Sequence, residues 1–378
     1  MTRLVLVGAG HAHAQVLRDW ARQPVPGVEL LLVSPGPLAP YSGMVPGWLG
    51  GAYRFDEICI DFAALCAAAG ARMLPAELQA MDATAQTLRL DNGETLAWDW
   101  LSLNIGSTLQ PPADLGVPVL PLRPLARLQP AWDAALAAHA AGPEGQPLRL
   151  MAVGGGAAGV EALLAAHARL RALRPDRPVQ PQLLSRGPAL LPALAPGAVR
   201  AAARALQRIG APVRLGTACT PALAAGQHLL LWATGAQAHA WQQDAQRRGG
   251  LAVDAGGFIQ VDAQLRSVSH PRVFAVGDCA AFHPPLPKAG VFAVRMGPVL
   301  ISQLRAVLHT APGVALGSRA APAGYLPQRR FLVLLATGDG RAIASRGRLW
   351  ADGRCVWRWK DHIDRSFVAG FRPPGGLG

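Results

Sequence analysis

The sequence predicts an α/β fold in which two parallel, doubly wound units precede a small C-terminal α+β domain, and three observations predict it. An apolar run at residues 4–7 enters Gly8-Ala9-Gly10 and then an Ala-containing helical stretch at 13–21. A second apolar run, 148–153, enters Gly154-Gly155-Gly156-Ala157-Ala158-Gly159 and then a helix rich in Ala and Leu. The closing stretch RLWADGRCVWRW alternates apolar and polar residues around an Asp-Gly pair, the pattern of a small antiparallel sheet with a hairpin turn. Strand, glycine turn and helix in that order form the Rossmann-like unit, whose tight turn brings backbone and helix N-terminus up to a pyrophosphate.

The first unit is incomplete as a fingerprint, because His13 stands where the third small residue is usual. Its helix would still present free amides at His11, Ala12 and His13 to a phosphate. Either histidine could reach a phosphate oxygen or a sugar chain, or His13 could simply fill space beside the strand. The second strand of this unit, residues 28–33, ends in Ser34 where an acid usually binds a ribose; the serine hydroxyl can make that bond less tightly. The second unit is complete, with Gly159 placed for close packing of helix on strand and Glu161 following it. Its own second strand ends in Ser185 and Arg186, and an arginine there can hold a 2′-phosphate, so NADPH is expected to serve at least as well as NADH.

Composition excludes several classes. The chain has 378 residues and 51% hydrophobic content, enough for two or three domains around a substantial core. The net charge of +13 would suit an anionic partner, but only Lys288 and Lys360 among 36 basic residues are lysines, which reads as a compositional bias toward arginine. No helix-turn-helix or zinc-finger spacing is present, so a nucleic-acid partner is not expected. No uninterrupted apolar stretch of spanning length is seen, and the first strand begins too early to leave room for a signal peptide, so a cytoplasmic location is expected. The five cysteines, Cys59, Cys66, Cys219, Cys279 and Cys355, show neither C-x-x-C nor metal-ligand spacing; no metal site or disulfide framework is expected.

Three further stretches, in order with the two fingerprints, resemble the FAD- and NAD(P)-dependent pyridine nucleotide-disulfide oxidoreductase superfamily, which includes glutathione reductase and type II NADH dehydrogenases. They are WDWLSLNIGSTLQPP at 98–112, LLLWATGAQ at 229–237 and GFIQVDAQLRSVSHPRVFAVGDCAAF at 257–282. A narrower likeness runs through GHAH, PYSGMVPGWLGGAY at 40–53, KAGVFAVRMGP at 288–298 and WKDHIDRSFVAGF; these resemble a bacterial flavoprotein group often fused ahead of selenophosphate synthetase. The resemblance implies an FAD domain at 1–118 and 246–310, an NAD(P) domain inserted at 119–245, and a C-terminal cap or interface at 311–378.

The same resemblance assigns residues. Gly8, Gly10, Ser34, Gly106, Gly277 and Asp278 are implied at FAD, the aspartate accepting a hydrogen bond from the ribityl chain. Gly154, Gly156, Ala157, Ala158, Gly159, Glu161, Ser185, Arg186 and Gly235 are implied at the nicotinamide nucleotide. The helix expected to start near Lys288-Ala289-Gly290-Val291 supplies amides to the flavin, with Lys288 adding charge or else merely solvated. Tyr41, Ser42, Gly43 and Met44 fall where disulfide reductases carry their redox cysteines, and are expected to line the flavin instead, although Tyr41 also suits a core.

Cys59 and Cys66 lie downstream of that place, and no cysteine occurs between Cys66 and Cys219, so neither a dithiol relay nor a sulfide-type cysteine pair is expected. What remains is hydride transfer from NADH or NADPH to FAD and onward transfer to a small acceptor, a quinone approaching past Trp48, Phe292 and the C-terminal segment. A redox-sensing or electron-delivery protein of low turnover is the alternative, and a homodimer stays open. Trp350, Trp357, Trp359, Phe367 and Phe371 with interleaved arginines would suit peripheral contact with the inner membrane face, although the period of two favours buried strand aromatics.

Overall fold

The structure is a computed structural model in which residues 1–309 and 322–372 are described. The expected boundary at 310/311 lies outside the described residues. Two five-stranded parallel sheets dominate. The first runs Val273–Ala275, Trp100–Leu103, Thr2–Val7, Val28–Ser34, Arg72–Pro75 across the sheet. The second runs Val119–Pro121, Leu229–Trp232, Leu148–Val153, Val179–Leu184, Val213–Arg214. Their central strands are apolar at consecutive positions, because both faces are covered. In the first sheet Leu4 and Leu6 pack on helices, while Val5 and Val7 pack on the antiparallel strands Leu78–Asp82, Thr87–Leu90 and Thr95–Ala97.

Chain order explains how the two units are joined. The chain leaves the first sheet at Leu103, forms the second sheet, and returns to the first at Val273. The two exits pair with each other: Thr108–Leu109 lies antiparallel to Ala236–Gln237. Gly106 and Gly235, each with φ in the left-handed region at +72 and +76, make the turns that bring these exits together.

The helix Gly290–Leu308 is long and apolar enough to cross a membrane by length and composition, although Arg295, Gln303 and Arg305 interrupt its apolar run. It is a core helix, packing Phe292, Met296, Leu300 and Leu304 in one cluster with Val16 and Leu17 of the first fingerprint helix, His11–Arg22. Arg305 closes that contact with an ion pair to Asp19 at 2.6 Å.

The C-terminal domain departs from the hairpin reading. Val333–Ala336, Ala342–Arg346 and Leu349–Gly353 form an antiparallel sheet, but Asp352-Gly353 is not a turn between strands. Gly353, at φ +140, ends the last strand, and Arg354–Ala369 is a helix. Its buried positions Val356, Lys360, Asp364 and Val368 recur every four residues. Two of those four are charged, which hid the helical period from an apolarity count.

Candidate functional site

At the first glycine turn, the side chain of Asn104 is wedged between two motifs. A Cβ at Gly10 would sit 2.1 Å from its Oδ1, and one at Gly277 would sit 2.7 Å from its Nδ2. A Cβ at Gly8 would meet the Asn104 backbone oxygen at 2.5 Å, and Gly8 adopts φ +96. Asn104 Oδ1 accepts from the Ala12 and His13 amides at 3.1 and 3.4 Å, while its Nδ2 donates to the Val276 carbonyl at 3.0 Å. Two amides expected at the phosphate are therefore already bonded. Those of Gly10 and His11 have no partner among the described residues. Asn104 belongs to no glycine pattern, and only its place in the quoted strand-and-turn stretch could have singled it out.

His13 takes the packing alternative. It is fully buried, with Nδ1 2.7 Å from the Gly8 carbonyl and Nε2 2.8 Å from Ser102 Oγ, so both ring nitrogens are used within the chain. Burial lowers its pKa to about 4, leaving the ring neutral. Ser34 is also buried, and its hydroxyl donates to the Gly36 carbonyl at 3.1 Å, which leaves its oxygen lone pairs for a further donor.

His11 points elsewhere. Its ring meets Tyr41 edge-on at 5.2 Å and Phe367 at 5.9 Å, and Tyr41 lies against Phe367 at 4.5 Å. The N-terminus of Gly290–Leu308 reaches the same place: a Cβ at Gly290 would stand 2.8 Å from Ser42 Oγ and 3.7 Å from the His11 ring. The amides of Gly290 and Val291 and the positive end of that helix thus face His11 and Ser42. Tyr41 folds over Gly43, where any side chain would strike its ring at 2.7 Å. Met44 is wholly buried in core and does not line this place. Trp48 and Phe292, expected on an acceptor path, are core residues packed on Phe55 and Phe331.

A cleft of about 470 Å³ opens beside this cluster, between the first fingerprint helix and the C-terminal helix. Gln15, Arg18, His362, Ile363, Ser366, Phe367 and Phe371 line it. Arg18 stacks 4.8 Å over the Phe371 ring and donates to the Gly370 carbonyl, so one wall is apolar and one cationic.

Asp278 pairs with Arg123, whose guanidinium also donates to Ser107 Oγ and to the Lys288 carbonyl. Arg123 lies just past Val119–Pro121, the edge strand of the second sheet, and was missed in the sequence. Lys288 does not extend its charge toward His11 and Ser42. Its ammonium donates to the Ala280 carbonyl at 2.7 Å and lies 3.7 Å over the Phe258 ring, and burial lowers its pKa. Cys59, Cys66 and Cys279 are buried free thiols pushed up to about 12, 11 and 11 by desolvation. Cys355, by contrast, is exposed. None of the five forms a disulfide, and no metal-binding group of side chains exists among the described residues.

The second glycine turn has the geometry of its fingerprint. Gly154 adopts φ +135, and a Cβ at Gly159 would stand 2.0 Å from the Gly154 carbonyl oxygen, so only glycine allows helix and strand this close. Gly156 caps the helix Ala157–Leu173 with no side-chain hydrogen bond, and a Cβ there would meet nothing within 4 Å. That open space at exposed amides fits a nucleotide pyrophosphate. Gly106, beside the first turn, opens on empty space in the same way and fits FAD there. Glu161 is turned away from its turn. It is buried against the C-terminal sheet, accepts from the Ala336 amide at 2.7 Å, and burial raises its pKa to about 7.

Behind Gly43 lies a buried ion pair that the sequence reading did not contain. Lys360 Nζ donates to the Gly43 carbonyl at 2.6 Å and to Asp364 at 2.7 Å, with both side chains about 5% exposed. The Lys360 charge opposes the rise that burial imposes on Asp364 and on Glu161. Tyr53 donates to Asp361 on the same helix at 2.7 Å. The C-terminal helix is thereby fastened to the 41–53 stretch by hydrogen bonds, not only by packing.

Two glycine-turn units with paired exits, a Gly-Asp turn and a helix end meeting the first unit define an FAD- and NAD(P)H-dependent oxidoreductase. Residues 2–297 match the pyridine nucleotide-disulphide oxidoreductase family, and the chain belongs to it. No curated protein matches the chain. Among solved structures it is similar to NDH2 from Plasmodium falciparum in complex with NADH, at TM-score 0.75 and 12% identity over 98% of this chain and 97% of that one. It is also similar to the sulfide:quinone oxidoreductase of Aquifex aeolicus, at TM-score 0.72 and 15% identity over 98% and 92%. A ferredoxin reductase from Rhodopseudomonas palustris superposes at TM-score 0.70 and 16% identity over 91% and 82%.

Proposed function

We propose that this chain passes electrons from NAD(P)H through bound FAD to a small aromatic acceptor of quinone type, with no dithiol relay. One observation carries the reading: His11, Tyr41, Ser42 and the Gly290 helix end meet at one place, and the cleft beside them ends on Phe367, which lies tilted against Tyr41. FAD, when bound, takes hydride from NAD(P)H and returns electrons to the acceptor.

The chain's residues then have separable tasks. Gly8 and Gly10 permit close backbone approach, and the unpaired Gly10 and His11 amides would hold the FAD pyrophosphate. Ser34 would accept from a ribose hydroxyl and Asp278 from the ribityl chain. Ser42, Gly43 and the Ala289, Gly290 and Val291 backbone would hold the flavin edge, where the helix end favours negative charge. Gly154, Gly156, Ala157, Ala158 and Gly235 would hold the nicotinamide nucleotide. Tyr41 stays protonated, because burial and the nearby Asp364 charge both raise its pKa, and its hydroxyl remains a donor. The buried, raised thiols support the absence of a dithiol step.

The cleft supports the acceptor class, since Ile363, Phe367 and Phe371 offer apolar contact and Arg18 a cation beside a planar ligand. Exposed Leu349, Trp350 and Trp359, set among Arg346, Arg348, Arg354 and Arg358, support contact of this domain with an anionic membrane surface. The likeness to the flavoprotein group fused ahead of selenophosphate synthetase belongs to the same proposal and names no acceptor.

Ser366 lines the cleft and is exposed, so Ser366→Trp fills it without disturbing the core. The kcat/KM for menadione should fall at least about tenfold, while anaerobic reduction of the bound flavin by NAD(P)H stays within about twofold. Undiminished quinone reduction would remove the cleft from the reaction. A wild-type protein that reduces a disulfide or an iron–sulfur partner but no quinone would overturn the acceptor class.

A further inference from the structure

We propose that the nucleotide site is built for the 2′-phosphate of NADPH, held between Arg186 and Arg214, and that NADPH is the preferred donor. This deepens the reading above and rests on it. In a doubly wound unit the adenosine ribose lies at the carboxyl end of the second strand, where an acid binds the 2′-hydroxyl of NADH and repels a 2′-phosphate. Here that strand is Val179–Leu184, and the residue after it is Ser185.

The geometry places Ser185 at the glycine turn. A Cβ on Gly155 would sit 2.7 Å from Ser185 Oγ, so the serine lies directly against the fingerprint. The loop that follows folds back over the same turn, with the Leu191 amide donating to the Gly155 carbonyl at 2.8 Å. Arg214 joins from the neighbouring strand, whose register pairs it with Leu184. Three backbone hydrogen bonds lock the two segments: Ser185 to Arg214 at 2.9 Å, Gly216 to Gly187 at 3.0 Å and Thr217 to Ser185 at 2.9 Å. Arg186 and Arg214 are both exposed at this strand end, and neither guanidinium makes an ion pair or hydrogen bond among the described residues.

The surrounding charge is one-sided. Between Asp176 and Asp244 the chain has six arginines, no lysine and no acid. Asp176 precedes the strand, at the end away from the ribose, and is paired with Arg174; Asp244 is paired with Arg247. A strand end carrying a neutral serine and two arginines with no protein partner among the described residues suits a dianionic phosphate, which arginine binds through two parallel N–H donors.

The test uses the purified holoprotein and two nucleotide fragments, 2′,5′-ADP and 5′-AMP, measured by calorimetry. The 2′-phosphorylated fragment should bind at least about tenfold more tightly. Arg186→Ala and Arg214→Ala should each reduce that advantage and the double variant abolish it, while 5′-AMP binding is unmoved and Arg186→Lys retains part. In turnover, kcat/KM should favour NADPH in the wild type, and the variants should lose NADPH activity without losing NADH activity. Equal binding of the two fragments, or an advantage that the double variant keeps, would overturn the proposal. A protein whose flavin neither nucleotide reduces would defeat the oxidoreductase reading, and the fragment comparison would still decide this one.

Discussion

A carboxyl group taken out of water holds its proton more tightly, and Glu161 is in that position, buried between the second fingerprint helix and the C-terminal sheet. Its pKa rises from 4.5 to about 7, chiefly by burial, so the folded chain binds more protons here than the unfolded chain across that window. Stability contributed by this group is therefore complete below pH 4.5 and is lost as the pH rises toward about 7, with a slope of at most ~1.4 kcal/mol per pH unit. Glu161→Gln keeps the oxygen that accepts from Ala336 and cannot ionise. Urea unfolding of the variant should show a flatter dependence on pH across this window; a slope equal to that of the wild type would mean that Glu161 is ionised in the fold. The glycine pattern named Glu161 but not its direction, because its partner Ala336 is 175 positions away. The same holds for His13, whose ring is satisfied by Ser102, and for Lys288, which lies over Phe258.

At the scale of elements, the two fingerprints differ in what closes them. The second closes on itself, since Gly159 faces the Gly154 carbonyl five residues before it. Gly159→Ala places a Cβ where 2.0 Å is available, so the helix must move off its strand. The expected outcome is a KM for NAD(P)H raised by about tenfold or more with FAD content unchanged, measured by steady-state kinetics and flavin absorbance. Loss of FAD in this variant would show instead that the two units fold as one. The first fingerprint closes through Asn104, which follows the strand Trp100–Leu103, and its His13 is accommodated by bonds of the ring to the Gly8 carbonyl and Ser102 Oγ. The C-terminal helix taught a different lesson. Lys360 and Asp364 occupy its buried face and satisfy each other and Gly43, so polarity there marks the inside.

At the scale of the molecule, Arg123 connects the parts. It lies just past Val119–Pro121, the edge strand of the second sheet, and reaches Ser107 in one exit, Asp278 in the Gly-Asp turn and the Lys288 carbonyl ahead of the core helix. Asp278 thus has two tasks in the proposal, holding Arg123 and accepting from the ribityl chain. Asp278→Ala should yield protein with much of its flavin lost, read as the ratio of flavin to protein absorbance. Full FAD retention with unchanged affinity would dismiss the Gly-Asp assignment.

The sequence by itself determined the two glycine turns, the strands that feed them, and their order along the chain. Those features are local: a left-handed glycine or a missing Cβ acts on atoms a few residues away, and apolar runs report burial directly. The tertiary structure alone decided which long side chains meet. Asn104 between Gly10 and Gly277, Arg123 on Asp278, Lys360 under Gly43 and Phe367 on Tyr41 each join residues distant in sequence. No spacing rule encodes such pairs, because the partner of a flexible charged or aromatic side chain is whichever group the packed elements bring within its reach.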